Sequence, residues 1–295
     1  AQIVASSQTK ALYLSDPNQA LDRVDPVATG DTTTVSTTVL GGASSATVTL
    51  AYTSTTTRRQ STATAITVTH TSGTGSDRLL LVGISLEDDN TSGFRVISVT
   101  YGSQLLTRVG APVTSTQEAR TELWQLVNPA SGSATVRVGL ANIENEDEIV
   151  IGAATFTGVN QTTPLGARTT STGSNNSPDV TVVSAAGELV FATLGIDDSR
   201  EATNADGQTA LWNLRTVAGG GNGVTGAAST KDATGLLTEL SWSMTTGDAW
   251  AILAVPIKPA SSVGVTSTVF TQTPPMASNF AMPVGGLITV TTYIS

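Results

Sequence analysis

The stretch DRLLLVGISLEDD, residues 77–89, decides the fold class of this chain. Its centre, Leu79–Leu86, is almost continuously apolar, which is typical of a β-strand covered on both faces. A second stretch, GELVFATLGIDD at residues 187–198, has the same form about 110 residues later. Each is a buried strand that delivers an acidic pair to a loop, which suggests an internal repeat of about half a sandwich. The alternative is that buried strands simply look alike.

The composition points to strands throughout. Threonine supplies 51 of the 295 residues, and only 13% of the residues are charged. Threonine is β-branched, so it fits a half-exposed sheet face better than a helix. Alternating runs such as Ala46–Tyr52 and Ala134–Leu140, and the apolar run Asp248–Ile257, add further strands. The sequence therefore predicts an all-β protein with almost no helix, built as an antiparallel two-sheet, jelly-roll-like sandwich.

Three segments are predicted along the chain. Residues 1–60 form an N-terminal extended or strand segment, for which a low-complexity linker is the alternative interpretation. Residues 61–259 form the sandwich core, where strands are separated by turns rich in Gly, Asn, Asp and Ser. Residues 260–295 form a C-terminal extension that ends in a β-strand, so that both extensions of the sandwich are strand-like.

Charge and cysteine content exclude several classes of partner and site. The net charge of −9 and the absence of a basic cluster argue against nucleic acid and against anionic membranes. No apolar run is long enough for a membrane helix, so no membrane insertion is expected. With no cysteine, there is neither a disulfide framework nor a thiol nucleophile. The start at Ala1-Gln2 fits a mature chain released by cleavage or a fragment of a longer one, and the chain is expected to be extracellular, at the cell surface.

Several segments between residues 66 and 259 resemble a module that recurs in large bacterial surface and secreted proteins. The segments that carry the resemblance are Ser76–Leu86, Val96–Leu106, Thr121–Trp124, Asn128-Pro129, Phe156–Gly166 and Ala249–Ile252. The resemblance implies a concanavalin-like or jelly-roll sandwich. It brings no catalytic motif with it.

The sequence offers little catalytic chemistry. A Ser-His-Asp arrangement needs an imidazole beside a hydroxyl, and His70 is the one histidine of the chain. There is no G-x-S-x-G turn, because in Gly83-Ile84-Ser85-Leu86-Glu87 the residue Glu87 stands at the position of the second glycine. The chain is therefore predicted not to be an enzyme, and no cofactor is required.

The acidic residues after the two buried strands remain candidates for a site. They are Glu87, Asp88, Asp89, Asp197 and Asp198. Ordinary solvated loop acids are one interpretation, and calcium ligands are another, because Ca²⁺ takes six to eight oxygen ligands and tolerates irregular loops. A third interpretation pairs Glu87 with Asp197 as the two carboxylates of a secreted hydrolase.

Tryptophans and asparagines suggest a surface that carries or binds sugars. Trp212 follows a polar loop and is the best candidate for an exposed sugar-stacking platform, whereas Trp242 and Trp250 are expected in the core. Sequons occur at Asn90, Asn160 and Asn175 and predict glycosylation.

The termini predict self-assembly. Both ends are strand-like and lie outside the predicted sandwich, and an extended segment can add to the exposed edge of a neighbouring sheet. The predicted assembly residues are Leu12, Tyr13, Leu14, Leu287, Ile288, Val290, Tyr293 and Ile294. The sequence thus predicts a structural subunit of an extracellular filament, pilus-like fibre or surface layer, whose partners are copies of itself. The alternative is a carbohydrate-binding or adhesive surface module that binds glycans and depends on calcium.

Overall fold

The fold is known from a computed structural model of the chain. It describes the following residues in full: 46–57, 62–87, 93–115, 119–144, 147–217 and 223–260. Outside these ranges it gives the backbone of several strands. Asp88, Asp89, Asn90, Leu287, Ile288, Val290, Tyr293 and Ile294 lie outside the described residues.

The strands of the first half of the chain are β1 (Gln2–Ala5), β2 (Leu12–Ser15), β3 (Asp22–Val24), β4 (Val27–Thr29), β5 (Thr32–Leu40), β6 (Ser44–Ser45), β7 (Thr49–Arg58), β8 (Ala65–Thr71), β9 (Leu79–Glu87), β10 (Arg95–Tyr101), β11 (Gln104–Leu105), β12 (Thr107–Arg108), β13 (Val113–Thr114) and β14 (Arg120–Val127). The strands that follow are β15 (Ser133–Ala141), β16 (Glu148–Thr157), β17 (Thr169–Gly173), β18 (Asp179–Val183), β19 (Leu189–Asp197), β20 (Ala202–Asn204), β21 (Thr209–Arg215), β22 (Val224–Asp232), β23 (Leu237–Met244), β24 (Trp250–Ile257), β25 (Ser261–Ser262) and β26 (Val265–Gln272).

The predicted all-β class is confirmed. The described part of the chain contains strands, turns and bends but no helix, and its strand ladders are antiparallel. The chain divides into two compact units, residues 1–44 with 262–295 and residues 45–261. We call them the terminal unit and the core unit.

The terminal unit contains two small sheets. One has the order β1-β2-β3, so β2 has a strand on each side. The other has the order β26-β5-β4, in which eight residues of β26 pair with β5. Strand β26 therefore lies at the edge of its sheet.

The core unit holds two sandwiches. In the first sandwich, an outer sheet β11-β10-β15-β8 covers an inner sheet β12-β14-β9-β16-β7, with β13 pairing beside β14. In the second sandwich, an outer sheet β18-β23-β20 covers an inner sheet β17-β24-β19-β22-β21. Each pair of sheets encloses its own apolar cluster, the first around Tyr101 and Phe94 and the second around Leu240 and Trp242.

The two sandwiches have the same jelly-roll strand order. The main strands of the first are β7, β8, β9, β10, β14, β15 and β16, and those of the second are β17, β18, β19, β20, β22, β23 and β24. When each set is numbered from first to seventh, both inner sheets have the order 1-7-3-5 and both outer sheets have the order 2-6-4. The chain thus crosses between the sheets at every connection, as in a jelly roll. The repeat expected from the stretches that became β9 and β19 is present, but each copy forms a complete sandwich and not half of one.

The inner sheets pack on each other across what we call the seam. A third apolar cluster fills it, with Leu81 and Phe156 from the first sandwich and Phe191 and Leu253 from the second. Every residue of β9 is buried, as expected for a strand covered on both faces. The core unit is therefore a stack of four sheets, outer, inner, inner and outer.

Equivalent residues of β9 and β19 meet across the seam. A Cβ atom at Gly83 would lie 2.8 Å from Thr193 Oγ1, and Ser85 Oγ donates a hydrogen bond of 3.0 Å to the carbonyl of Leu194. At the C-terminal ends of the two strands, Glu87 contacts Asp197. Because these contacts keep the same order along both strands, β9 and β19 run in the same direction, and their acidic ends come together.

Candidate functional site

The two predicted acidic clusters form one group at the end of the seam. Glu87 ends β9 and Asp197 ends β19, and the two carboxyl groups share a hydrogen bond. Glu87 is buried, whereas Asp197 is partly exposed. The sequence analysis placed each carboxylate at the end of a buried strand, and one interpretation paired the two across a sugar, but none predicted direct contact between them.

Burial and neighbouring charges change the acidity of this group. The pKa of Asp197 is raised from 3.8 to about 6, first because burial disfavours the charged form and then because Asp248 and Asp198 are close. The hydrogen bond with Glu87 opposes this rise. The pair Glu87–Asp197 therefore holds a proton at mildly acidic pH, when most surface carboxyl groups have lost theirs.

Arg200 balances part of the negative charge. Its guanidinium lies 2.6 Å from Asp248 Oδ2 and 2.8 Å from Asp198 Oδ2. The hydrogen bond with Asp248 is the main reason that the pKa of Arg200 is raised. Asp198 has a positive φ of 61°, a conformation that Asp tolerates better than most residues. These ion pairs fix the loop after β19 against the loop before β24.

Glu148 extends the group on the side of the first sandwich. It is buried and is the cross-strand partner of Glu87, and the hydroxyl of Thr216 donates to its Oε2. Among the residues that the structure describes, no three His, Asp or Glu side chains are grouped so that they could hold a metal ion. The carboxyl groups of Glu87 and Asp197 are in contact, whereas the two carboxylates of a glycosidase stand ~5–9.5 Å apart around a sugar. The arrangement suits a proton-sharing contact between the two sandwiches.

His70 joins the sheets of the first sandwich. It is 1% exposed, and its Nδ1 lies 3.0 Å from Ser54 Oγ while its Nε2 lies 2.8 Å from Thr155 Oγ1. Burial lowers its pKa to about 4, so the ring is neutral at physiological pH. A ring held between a hydroxyl of β7 and a hydroxyl of β16 ties the outer strand β8 to the inner sheet.

The prediction that Trp212 is an exposed platform was wrong. Trp212 is 6% exposed and packs in the seam, where a Cβ atom at Gly152 would overlap its ring. Its ring centroid is 6.0 Å from that of Phe191. The register of β21 shifts between Ala210 and Trp212, which changes the face on which the indole lies. Trp242 and Trp250 are buried, as predicted.

Two of the predicted sequons can be placed. Asn160 is partly exposed, and its Oδ1 accepts hydrogen bonds from the backbone N–H groups of Thr162 and Thr163. Asn175 is exposed, and its Oδ1 accepts from Trp250 Nε1 at 3.2 Å. Glycosylation at these positions stays a prediction.

The predicted N-terminal assembly residues lie in a paired strand. Leu12, Tyr13 and Leu14 belong to β2, where Tyr13 has Val4 and Arg23 as cross-strand partners. An assembly role for these residues stays a prediction.

Sequence reasoning missed two features on the outer sheet of the second sandwich. One is a groove of about 360 Å³ lined by Ser177, Asp179, Thr203, Ala205, Glu239, Ser241, Trp242 and Ser243. The other is an exposed apolar patch of Val183, Leu236 and Leu237. The pair Leu236-Leu237 after Gly235 was a usable signal, because a turn seldom carries two large apolar side chains without a use for them.

No protein-family model matches this chain, and no curated protein is similar to it at a significant level. Within the described ranges there is no helix that could cross a membrane.

Proposed function

We propose that this protein is a structural subunit of an extracellular filament, pilus-like fibre or surface layer, and that copies join by strand addition. The partner is another copy of the same chain, and no cofactor or catalytic step is needed. An added strand gains a ladder of backbone hydrogen bonds along a free sheet edge, with side-chain contacts that set its register.

The observation that carries the proposal is the uncharged C-terminal region. From Pro259 to Ser295 the sequence contains no Asp, Glu, Lys or Arg. The region includes the edge strand β26 and the β-prone stretch 286–294, GLITVTTYI. Edge strands of monomeric proteins are usually protected by charges, prolines or bulges, because an unprotected edge pairs with other chains. A long region without charge favours such pairing.

The core unit is suited to the body of such a subunit. The central strands of its two inner sheets are buried on both faces, and the seam between the sheets is filled with apolar side chains. Such burial supplies stability without disulfides, and the chain has no cysteine. We place the protein at the cell surface, since an assembly of this kind works outside the cell.

Electron microscopy tests the proposal directly. The purified full chain, examined by negative stain over a range of concentrations, is expected to form regular filaments or sheets. Deletion of residues 286–295 is expected to leave a folded protein that does not assemble. As a matched control, the variant Ala277→Ser changes one residue of the same region without removing the strand-prone stretch, and it should still assemble. Full-length protein that stays monomeric at every concentration contradicts the proposal.

A second candidate function, glycan binding, is favoured by the groove on the outer sheet of the second sandwich. Hydroxyl groups of Ser241, Ser243 and Thr203 line it together with the carboxylates of Asp179 and Glu239. A sugar hydroxyl can donate a hydrogen bond to a carboxylate, and it can donate to or accept from a serine or threonine hydroxyl. Binding on a glycan array that is lost in Asp179→Ala and retained in Asp206→Ala supports this function. Absence of binding across the array contradicts it.

A further inference from the structure

The hydrogen-bond pattern of β23 shows which of its residues face away from β18. Trp242 N–H donates to the carbonyl of Pro178 at 2.8 Å, and Ser184 N–H donates to the carbonyl of Leu236 at 3.0 Å. In an antiparallel ladder, bonds to one neighbour use every second residue. The even-numbered residues of β23 therefore bond to β18. The backbone groups of the odd-numbered residues point to the opposite side, namely those of Leu237, Glu239 and Ser241.

On that opposite side, the neighbouring strand is short. Strand β20 pairs with Trp242–Met244, and one further bond joins Ala205 N–H to the carbonyl of Ser241 at 3.0 Å. In the first sandwich the equivalent strand β10 pairs with β15 from Val136 to Ala141, so the equivalent residues Ser133–Thr135 lie outside that pairing as well. Among the described residues, no strand lies beside β23 from Leu237 to Glu239.

Side chains take the place of a strand along part of this edge. Gln208 Oε1 accepts a hydrogen bond of 2.6 Å from Ser241 N–H, and Lys231 Nζ donates one of 3.0 Å to the carbonyl of Glu239. The second bond is exposed, so water competes with it and its loss costs little. The edge from Leu237 to Glu239 is thus accessible to an incoming strand.

An apolar patch lies next to the same edge. Val183 is 66% exposed, Leu236 80% and Leu237 65%. Val183 and Leu237 are cross-strand partners on β18 and β23, so their side chains lie on one face of the sheet, and Leu236 immediately precedes Leu237 in the chain. Grouped exposed apolar side chains beside a free sheet edge are typical of an interaction site.

We propose that this edge of β23 is the acceptor for strand addition, and that it receives residues 286–294 of a second copy. This inference rests on the proposed function and names the surface that it uses. The incoming segment adds backbone hydrogen bonds at Leu237 and Glu239 and covers the apolar patch.

Three properties of residues 286–294 fit this edge. The stretch alternates apolar residues with threonine, as in Ile288-Thr289-Val290-Thr291, which suits a strand with one face on a core. It carries no charge, so it brings no repulsion to an edge that contains Glu239. Residues 273–285 separate it from the end of β26, and 13 extended residues span up to roughly 45 Å, enough to reach a neighbouring subunit.

The first experiment blocks the edge without disturbing the sheet. Glu239→Pro removes one backbone N–H that points away from β18, and proline is tolerated on such an edge. Full-length Glu239→Pro is expected to lose assembly, and to bind a fluorescein-labelled peptide of residues 285–295 at least tenfold more weakly than the unaltered chain in fluorescence anisotropy. Glu239→Gln, which changes the charge but keeps the N–H group, should behave like the unaltered chain.

Thr67→Pro is the matched control. It lies on β8, an edge strand of the other outer sheet. Ser72 N–H donates to the carbonyl of Gly132, and the carbonyl of Thr64 accepts from Leu140 N–H, so the even-numbered residues of β8 bond to β15. The N–H group of Thr67 therefore points away from β15. This variant should assemble and bind the peptide normally. Circular dichroism and thermal melting of both proline variants must match those of the unaltered chain.

The second experiment uses the absence of cysteine. Leu237→Cys is combined with one second substitution in the tail, which is Leu287→Cys, Thr289→Cys, Thr291→Cys or Tyr293→Cys. Each double variant has two thiols in an otherwise thiol-free chain. If the tail of one copy lies on the edge of the next, one of these pairs forms a ladder of disulfide-linked oligomers on a non-reducing gel. The matched pair that replaces Leu237→Cys with Leu105→Cys, an exposed leucine on the first sandwich, should not.

The outcomes separate this inference from the proposed function. Filaments that persist in Glu239→Pro, or equal peptide binding by Glu239→Pro and the unaltered chain, overturn β23 as the acceptor and leave assembly intact. A full chain that stays monomeric and does not bind the peptide overturns both. Peptide binding lost in Glu239→Pro, with a ladder specific to Leu237→Cys, establishes the acceptor.

Discussion

The two sandwiches of the core unit have the same strand order, yet they treat their outer sheets differently. Strand β10 of the first is seven residues long and β20 of the second is three, yet the first residues of β15 and of β23 both lie outside the pairing with that strand. The two differ in the side chains at this place: the second has the exposed partners Val183 and Leu237 where the first has Thr71 and Ser133. The two copies thus keep the same strand connections, while different side chains at the start of one strand give the second copy an apolar surface that the first lacks there.

The seam is also unequal. The second sandwich sends Trp212 across it, and the first provides room through Gly83 and Gly152. In the opposite direction, Val150 of the first sandwich packs where Gly226 of the second leaves space. Large and small side chains therefore alternate across the seam, which is how closely packed sheets avoid both voids and clashes.

The largest expected effect comes from emptying the seam. Trp212→Ala should lower the free energy of unfolding by about 3–5 kcal/mol, because a buried indole leaves a cavity that the two sheets cannot fully close. Gly152→Ala should cost about 1–3 kcal/mol, since its Cβ would collide with the ring of Trp212. Denaturant unfolding followed by circular dichroism measures both.

A double variant tests whether these two effects share one cause. In Trp212→Ala with Gly152→Ala, the added methyl group enters the space that the indole has left, so the two losses should not add. Gly235→Ala is the control, because a Cβ atom there meets nothing within 4 Å, and its stability should stay within about 0.5 kcal/mol. Additive losses at 152 and 212 would contradict the contact.

The next effect concerns His70, which belongs to the first sandwich. Its pKa is about 4 when folded and 6.5 when unfolded, so between these values the unfolded chain binds a proton that the folded chain does not. Stability should therefore fall as the pH decreases from 6.5 to 4, by up to about 3 kcal/mol. In His70→Gln this part of the slope should disappear. An unchanged slope, measured by denaturant titrations at half-unit pH intervals, would show that His70 is not its source.

The sequence was sufficient for the fold class because that class depends on local patterns. The apolar run 79–86, the threonine content and the alternation of Leu240, Trp242 and Met244 each reflect the environment of a single strand. The stacking of two inner sheets depends on contacts between residues far apart in the chain, such as Gly152 with Trp212 and Ser85 with Leu194, which no local pattern encodes. The sequence therefore predicted a sandwich and a repeat, but not that the repeats would each form a complete sandwich and stack.

The same distinction explains the outcome at the candidate site. Glu87 and Asp197 were identified because each follows a buried strand, but their contact follows from the parallel packing of β9 and β19. Trp212 was misplaced because a register shift in β21 alters the simple alternation from which exposure is predicted. The free edge of β23 could not be predicted either, since it depends on where the pairing with β20 ends.

The smallest expected effect tests the acidic group that joins the sandwiches. The folded-state pKa of Asp197, about 6, lies above the ordinary 3.8, so the folded chain keeps a proton that the unfolded chain has released. Stability should decrease as the pH rises from about 4 to 6, opposite in sign to the effect of His70. Asp197→Asn removes this cost and should stabilise the protein at pH 7.5 by roughly 1 kcal/mol, allowing for screening by solvent.

At pH 4 the stabilisation by Asp197→Asn should vanish, because the carboxyl group it replaces is already protonated there. Asp206→Asn, at an exposed turn position of the same sandwich, removes the same charge without the buried contact and should change little at either pH. A loss of stability in Asp197→Asn at pH 7.5 would mean that the ionised carboxylate supports the junction of the two sandwiches. In that case the positive charge of Arg200, which pairs with Asp198 and Asp248, would also stabilise the ionised form of Asp197.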